Sequence, residues 1–367
     1  MMTGASTKTD VAANEWTIDD TVMRLREWGI DTVRVLPAPP VGDWTVGDWT
    51  VGSAADCALR LHDPSGRVSR VHACLVHDRR RWLLRDLGSK NGVRLDGARR
   101  AEIVLEPGIE IGIGGLTLIA ESSRSVVLRG FLARLLGWRS DRIEVVDHAL
   151  RSIRMAATRR VALVLCGEGD LVPTAHSIHR HVLGDDRPFI VCDPRRRRAR
   201  ATVRSAENYA SGMQALAAAQ GGTLCVRSRR LPRDFDEVIT ALRDPDARTQ
   251  LMVCAGSPED EKQFLAVPIT VPPLAGREAE IDRIITEYAE DAIAELGAPR
   301  GGFLAVDRAW VREHAASSLP EIEKATLRLV AIRDSRNLSN AAGRLGMAPV
   351  SLSRWIGRRR LPMQVVR

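Results

Sequence analysis

Short runs of alternating hydrophobic and polar residues dominate the first third of the chain. Two examples are Arg81-Trp-Leu-Leu-Arg and Ile109-Glu-Ile-Gly-Ile, and similar runs begin at Trp49, Ala73 and Leu116. A period of two places successive side chains on opposite faces of a strand, and many short strands separated by turn residues are typical of a β-sandwich. The pattern therefore predicts an all-β sandwich over residues 31–122.

The residues before this region do not show the same alternation. Residues 1–30 are rich in threonine and aspartate, and they contain one short amphipathic stretch from Val22 to Trp28. A stretch of this length can form a single turn or two of helix. We expect an N-terminal arm here, with at most one peripheral helix.

The pattern changes from about residue 126 onward. Apolar runs of strand length now alternate with amphipathic segments of helix length, such as the segment from Ile143 to Ala156 and the run from Val161 to Cys166. Strands that alternate with helices indicate a parallel sheet. We therefore predict a linker near residues 122–139, an α/β domain over residues 126–275, and a mainly helical chain from Gly276 onward.

The composition is that of a globular protein. Of the 367 residues, 44% are hydrophobic and 27% are charged, which argues against a disordered chain. No apolar run reaches the roughly 18 residues of a membrane span, and the polar, acidic N-terminus is unlike a signal peptide. The six cysteines are isolated along the sequence, so reduced thiols are expected rather than disulfides or zinc ligands. These features predict a cytoplasmic protein without a membrane partner.

Positive charge is concentrated at the C-terminus. The formal net charge of the chain is +8, and residues 335–367 contain seven arginines and no aspartate or glutamate. A basic segment without acids suits a polyanion such as nucleic acid, because no carboxylate of the segment itself neutralises its field. Charge alone favours this class of partner without specifying it.

Two polar motifs fall between strand-like runs of the predicted sandwich. They read Ser69-Arg-Val-His72 and Gly88-Ser-Lys-Asn-Gly92. With these motifs the region from residue 45 to residue 120 resembles the forkhead-associated (FHA) family, whose loops bind a phosphothreonine peptide. The resemblance implies that Ser69 donates its hydroxyl to the phosphate, that Asn91 bonds the peptide main chain, and that His72 braces the loop from beneath.

Two positions depart from the FHA pattern. Ser53 stands where the family has an arginine and Lys90 where it has a threonine, so Arg70 and Lys90 are the candidates for balancing the phosphate charge. The candidate phosphopeptide-binding residues are Ser53, Ser69, Arg70, His72, Ser89, Lys90 and Asn91.

The predicted ligand is a phosphothreonine protein or the chain's own N-terminal arm. The arm offers the threonines Thr7, Thr9, Thr17 and Thr21. Tethering would raise the effective concentration of such an internal ligand. The alternative is an FHA fold that serves only as a docking or dimer surface.

Two segments of the α/β region occupy the places where a nucleotide-binding domain carries its chemistry. Gly167-Glu-Gly-Asp-Leu follows the first apolar run and lacks the lysine of a phosphate-binding loop, and Arg227-Ser follows the third run where an Asp-Glu pair would bind Mg²⁺ and activate water. The region resembles the AAA+ domain of bacterial enhancer-binding proteins, the ATPases that activate sigma-54 polymerase, with residues 276–318 as its helical lid. The losses predict a nucleotide-incompetent scaffold that has no catalytic residues and no cofactor and is not an enzyme.

Three histidines lie close together in this region, at His176, His179 and His181. A zinc site takes its ligands from histidine, cysteine and carboxylate side chains. No cysteine or carboxylate pair near these histidines completes such a set. We therefore predict surface or core histidines and no metal site.

The C-terminal residues 320–367 contain a helix-turn-helix pattern. Ser339 is a candidate cap of the first helix, Gly346 supplies the turn, and Leu352 and Trp355 can pack the second helix against the first. This pattern resembles the Fis-type module of enhancer-binding proteins, in which a preceding helix, here residues 321–333, pairs two subunits. The candidate DNA-binding residues are Val350, Ser351, Ser353, Arg354, Arg358, Arg359 and Arg360. A helical hairpin docked on the lid is the alternative.

Together these patterns predict a multidomain DNA-binding transcriptional regulator that acts as a homo-oligomer on double-stranded DNA. Its parts would be an FHA sensor, a degenerate AAA+-like domain and a Fis-type helix-turn-helix. A phosphoprotein-binding adaptor in a Ser/Thr kinase pathway is the first alternative. An ATP-dependent sigma-54 activator is the second, and the missing lysine and acids disfavour it.

Overall fold

The computed structural model describes residues 21–37, 49–78, 81–196, 206–244, 246–256, 268–359 and 361. The predicted arm residues Thr7, Thr9 and Thr17, and the predicted DNA-binding residue Arg360, lie outside these ranges.

The N-terminal part is a sandwich of two sheets. Its strands are β1 Val22–Glu27, β2 Val33–Val35, β3 Trp49–Gly52, β4 Leu59–Arg60, β5 Ala73–Asp78, β6 Arg81–Asp86, β7 Val93–Leu95, β8 Ala98–Arg100, β9 Glu102–Leu105, β10 Glu110–Ile113 and β11 Leu116–Ser122. One sheet has the strand order β2-β1-β11-β10-β7-β8 and the other β4-β3-β5-β6-β9. Inward-facing residues of both sheets, including Leu25, Trp82 and Ile111, form the core between them.

The prediction of an arm or a helix over Val22 to Trp28 is wrong, because β1 belongs to the sandwich. It pairs with β11 along its length, and the pairing register shifts between Val22 and Arg24. The buried residues Val22 and Leu25 are therefore three positions apart, which is the spacing of a helix face rather than of a regular strand. The bulge gave the sequence its misleading period.

The middle of the chain is an α/β layer structure. Its strands are β12 Leu163–Cys166, β13 Phe189–Cys192, β14 Glu207–Tyr209, β15 Thr223–Arg227, β16 Gln250–Ala255 and β17 Ile269–Thr270. All neighbouring strands run parallel, in the order β14-β13-β15-β16-β12-β17, which confirms the predicted parallel sheet. The helices of this part are α1 Ser123–Leu136, α2 Ile143–Arg159, α3 Val172–Leu183, α4 Gly212–Ala218 and α5 Phe235–Leu242.

The predicted linker near residues 122–139 is instead mostly the helix α1. Ser122 and Ser125 form a reciprocal capping box at its start, which satisfies backbone N–H groups of the first turn. Leu128, Leu132 and Leu135 recur at helical spacing and are buried, so the helix is held by packing rather than by charge. Arginines between these leucines disguised the apolar face in the sequence.

The remaining helices confirm the predicted helical C-terminal part. They are α6 Ile281–Leu296, α7 Ala305–His314, α8 Leu319–Arg333, α9 Leu338–Arg344 and α10 Pro349–Arg358. Helix α8 packs along α6, and α9 and α10 pack on α8. The rings of Trp310 and Trp355 meet edge to face with centroids 5.6 Å apart, which joins α7 to α10. One hydrophobic core therefore runs from α1 through one face of the sheet to α10.

Buried charges connect the sandwich to the α/β part. Arg26 of β1 is fully buried and pairs with Glu121 at 2.7 Å and with Asp147 of α2 at 2.5 Å. At the edge of this contact the rings of Trp28 and His148 meet at 5.1 Å. A buried ion pair depends on exact geometry, so it fixes the two parts in one register.

Across the described ranges, no helix is both long enough and apolar enough to cross a membrane.

Candidate functional site

Loops from distant parts of the sequence meet at one end of the sandwich. Ser69 precedes β5 and Lys90 precedes β7, yet the Lys90 backbone N–H donates a hydrogen bond to Ser69 Oγ at 3.3 Å. The end of β3 joins them, since the N–H of Ser53 donates to the carbonyl of Ser69 at 3.1 Å. The structure thus places the sequence-predicted residues of the three motifs in one cluster.

His72 lies beneath both motif loops and is fully buried. Its Nδ1 accepts from the Ser69 N–H at 3.0 Å, so Nδ1 carries no proton and the neutral ring is protonated on Nε2. Nε2 lies 2.9 Å from Ser89 Oγ and 3.3 Å from the Gly92 carbonyl. Ser89 Oγ in turn donates to Asp86 at 2.6 Å. This network sets the positions of both loops before any ligand arrives.

A close backbone approach fixes the third corner of the site. A Cβ atom at Gly52 would lie 2.2 Å from the carbonyl oxygen of Arg70, so only glycine fits there. The next residue, Ser53, turns its hydroxyl inward and donates to the Val68 carbonyl at 3.3 Å. The position that holds an arginine in the family pattern therefore braces the loop and supplies no cation.

The cations of this end are turned toward solvent. Arg67, Arg70 and Lys90 are exposed, and no carboxylate among the described residues forms a salt bridge with any of them. The Ser69 hydroxyl lies among them, half-buried, and keeps its hydrogen for an outside acceptor because its oxygen accepts from Lys90. Asn91 donates its amide to the Arg67 carbonyl at 2.7 Å, which leaves its carboxamide oxygen to accept from a peptide N–H.

Sequence reasoning missed two residues of this end. Arg99 donates to the Lys90 carbonyl at 3.0 Å and packs against Gly92, so it supports the Gly88–Gly92 loop from the β8 side. Asp63 accepts from four backbone N–H groups at 2.9–3.1 Å and from the Ser65 hydroxyl at 2.6 Å. The Ser65 hydroxyl and the backbone donors lower the pKa of Asp63 to about 2. The Asp-Pro-Ser-Gly turn signal at residues 63–66 could have revealed Asp63, whereas nothing marked Arg99.

The carboxyl edge of the parallel sheet has a different electrostatic character. Arg227, at the end of β15, pairs with Asp170 at 2.9 Å and with the fully buried Asp193 at 3.1 Å. Arg230 adds a second contact to Asp193 at 3.2 Å. Burial opposes the charge of Arg227, but its carboxylate neighbours raise its pKa overall. At the start of α3 the Val172 N–H donates to Asp170, so a carboxylate of the chain itself occupies that helix terminus.

Helix α10 packs by one side and exposes the other. Leu352 and Trp355 are buried against α8 and α9. The exposed residues include Val350, Ser351, Ser353, Arg354 and Arg358. Five of the predicted DNA-binding residues are therefore accessible together.

Two details of the helix-turn-helix prediction change. Arg359 is half-buried and pairs with Glu321 of α8 at 2.5 Å, so its charge is engaged within the chain. The predicted cap Ser339 lies inside α9, and the residue that caps this helix is Asn337, whose side chain accepts from the Asn340 N–H at 2.8 Å. Asparagine at this position does the same work as serine, so the sequence offered two adjacent candidates.

Comparison with known proteins identifies the sandwich. Residues 49–114 match the FHA domain family, which confirms the predicted FHA domain. No curated protein matches the chain.

Solved structures with related folds include three FHA-containing chains. One was described for phosphothreonine-dependent FHA domain interactions, with 28% identity, 28% of this chain and 96% of that chain covered, and a TM-score of 0.24. EmbR of Mycobacterium tuberculosis, in complex with a low affinity phosphopeptide, has 25% identity, coverages of 30% and 27%, and a TM-score of 0.24. The FHA domain of a Chlamydia trachomatis protein has 24% identity, coverages of 27% and 95%, and a TM-score of 0.23.

Proposed function

We propose that this chain binds a phosphothreonine-containing protein segment through its FHA domain and DNA through α10, so that a phosphorylation signal acts on a DNA-binding regulator. The observation that carries the proposal is the unpaired charge at the FHA loops. Ser69, Arg70 and Lys90 stand on loops that buried hydrogen bonds hold in place. A phosphothreonine brings close to two negative charges and three acceptor oxygens, and this cluster offers the complementary hydroxyl and cations.

Each residue has a distinct role in this mechanism. The Ser69 hydroxyl donates to a phosphate oxygen, and Arg70 and Lys90 balance the charge from two sides. Asn91 accepts from the peptide main chain, which orients the peptide across the loops. His72, Ser89 and Ser53 contact no ligand but hold the loops, so they act as positioning residues.

Calorimetry on the full chain tests this site. Phosphorylated and unphosphorylated peptides that carry Thr7, Thr9, Thr17 or Thr21 serve as probes, and a phosphothreonine peptide library extends the search to other proteins. We expect binding only of phosphorylated peptides, with about a tenfold loss of affinity in Ser69→Ala, the equivalent of ~1.4 kcal/mol. Equal binding of both peptide forms would show that the FHA fold is only a docking surface.

The DNA half of the proposal draws support from the exposed side of α10. Helix-turn-helix proteins place such a helix in the major groove, where side chains contact base edges and flanking cations contact phosphates. In this arrangement Ser351, Ser353 and Arg354 would face the bases and Arg358 the backbone. Arg354→Ala should then reduce discrimination between sequences, whereas Arg358→Ala should weaken binding to all of them.

A gel-shift selection with a random duplex library tests the DNA half. We expect retained fragments with two-fold symmetry, because the proposal includes a homo-oligomer, and we expect binding that weakens steeply with salt. Pairing of subunits through α8 would have to use few residues, since ten of its fifteen are buried within the chain. Sedimentation of the protein alone and with a selected duplex measures that pairing directly.

A phosphoprotein adaptor without DNA affinity is the second candidate function. The observation in its favour is the single core that joins α9 and α10 to the lid helices α6, α7 and α8. Arg344 of α9 donates to the Leu296 carbonyl at the end of α6, which ties the helix pair to the lid as a docked hairpin would be tied. Phosphopeptide binding without any retained duplex at low salt would favour this adaptor.

A further inference from the structure

A groove between α8 and α10 has not been accounted for by either proposed activity. Its volume is about 340 Å³, within the range of small-molecule sites rather than of shallow surface features. Lys324 and Arg328 of α8 form one wall, and Arg354 and Arg358 of α10 form the other. Arg359 lies at one end of the groove.

The groove has a large surplus of positive charge. Five cationic side chains line it, and the nearest described carboxylate, Glu321, pairs with both Lys324 at 3.1 Å and Arg359 at 2.5 Å. One carboxylate against five cations leaves four uncompensated charges. Because α8 and α10 form walls of low dielectric on both sides, the field inside the groove is focused rather than screened.

The depth of the groove selects the shape of the ligand. Arg328 is only 7% exposed and lies with its guanidinium 4.7 Å from the Trp355 ring centroid, so it belongs to the floor. Ser351 and Arg358 lie seven residues apart on α10, so the wall is about 10 Å long. A narrow chain of adjacent anionic groups can reach the floor and contact both walls, whereas a single phosphate leaves most of the charge unbalanced.

We infer that this groove binds a short polyphosphate anion, either inorganic or the phosphate chain of a nucleotide. Arg354 and Arg358 belong both to the groove and to the exposed side of α10, so an occupied groove withdraws them from DNA. This competition rests on the proposed DNA binding, whereas binding of the anion does not. The site is separate from the carboxyl edge of the parallel sheet, where Asp170 and Asp193 already neutralise the arginines.

Isothermal titration of inorganic tripolyphosphate into the full chain, without DNA, tests the anion site. We expect saturable binding that falls at least about tenfold in the double variant Lys324→Gln/Arg358→Gln, which changes exposed or half-buried charges and spares the floor. Arg300→Gln removes an exposed cation from the loop between α6 and α7 and is the matched control. Unfolding midpoints of all variants verify that the fold is retained.

Ser69→Ala separates the groove from the FHA loops, because both offer cations to phosphate. Binding that is lost in Ser69→Ala but kept in the double variant would overturn the assignment, as would absence of binding to the unmodified chain. Orthophosphate should bind at least about tenfold more weakly than tripolyphosphate, and equal affinity would overturn the choice of a polyphosphate. Adding ATP in place of tripolyphosphate distinguishes a nucleotide from an inorganic chain through any gain in affinity.

The competition with DNA forms a second arm of the experiment. Tripolyphosphate should release a selected duplex at concentrations where sodium chloride of equal ionic strength does not, and the double variant should respond to both alike. Identical release by both salts would overturn the competition. If the chain retains no duplex, the proposed DNA binding fails, and the titration without DNA still decides whether the groove is an anion site.

Discussion

The FHA loops and the carboxyl edge of the parallel sheet are both places where a fold commonly binds phosphate, but they use their charges in opposite ways. At the sheet edge Arg227 and Arg230 are paired with Asp170 and Asp193 of the chain itself. At the FHA loops Arg70 and Lys90 have no carboxylate partner within the described ranges. The first region has satisfied its charges internally, and the second presents them outward.

This difference is informative because both regions contain arginines next to glycine-rich turns. A count of basic residues alone would rank them together. An arginine bound to two carboxylates gains nothing by exchanging them for a phosphate, since the carboxylates would then lie unpaired and partly buried. The partners of a cation, rather than its presence, decide whether it can serve a ligand.

The largest effect should come from removing a charge that is already neutralised. Arg227→Met leaves the fully buried Asp193 with fewer partners, and we expect unfolding free energy to fall by about 2–3 kcal/mol. The loss should stay below that of an isolated buried pair because Arg230 still contacts Asp193. Urea unfolding of the full chain, followed by circular dichroism, measures the change.

The matched control is Arg70→Met, which removes an exposed arginine of the FHA loops. We expect its unfolding free energy to stay within about 0.5 kcal/mol of the unmodified chain, because no internal partner loses a contact. A loss as large as that of Arg227→Met would mean that Arg70 is also engaged within the fold, and the contrast between the two regions would disappear.

Several features of this contrast could be predicted from the sequence, and others could not. The Ser69 and Gly88 motifs indicated the FHA loops, because they are local patterns that lie on the loops themselves. The pairing of Arg227 with Asp170 joins residues 57 positions apart and depends on how parallel strands are ordered in the sheet. The absence of a lysine and of two acids was visible in the sequence, but the charge compensation that replaces them was not.

The same limit explains the errors at element boundaries. The bulge in β1 changed the spacing of buried residues, so a strand had the period of a helix. Arg99 supports the Gly88–Gly92 loop through a backbone carbonyl, a contact that leaves no side-chain signature in the sequence. Periodicity and motifs therefore predicted the sandwich, the parallel sheet and the site loops, whereas contacts between distant segments required the structure.

A second prediction adds charge to the region that presents it. Ser53→Arg places a guanidinium at the corner that now lacks a cation, and a charge-assisted hydrogen bond to phosphate should raise phosphopeptide affinity about tenfold, or ~1.4 kcal/mol. Ser53→Gln is the control, because it has similar length without the charge. Calorimetry with one phosphopeptide compares the three proteins. No gain over Ser53→Gln would mean that the phosphate does not reach this corner.

A third prediction concerns the salt dependence of phosphopeptide binding. Exposed cations are screened by ions, since the Debye length is about 8 Å at physiological ionic strength. Affinity should therefore fall several-fold between about 0.05 M and about 0.5 M sodium chloride, and Arg70→Gln should flatten that dependence. Calorimetry at several salt concentrations gives both slopes. Equal slopes for the two proteins would exclude Arg70 from phosphate recognition.

The smallest effect should appear at acidic pH, and it concerns why the loop arginines stay unpaired. The carboxylate nearest to them in sequence, Asp63, is satisfied by backbone N–H groups and by Ser65, so Arg67 is not needed to neutralise it. These donors hold the pKa of Asp63 at about 2, below its usual value. Because the folded pKa is the lower one, the contribution of Asp63 to stability is complete above about pH 4 and is lost as the pH falls toward about 2. The unmodified chain should therefore lose more unfolding free energy across this window than Asp63→Asn, which cannot ionise. Carboxyl NMR titration measures the pKa directly, and a value near 4 would mean that the backbone donors do not hold the carboxylate, leaving Arg67 as the group that must.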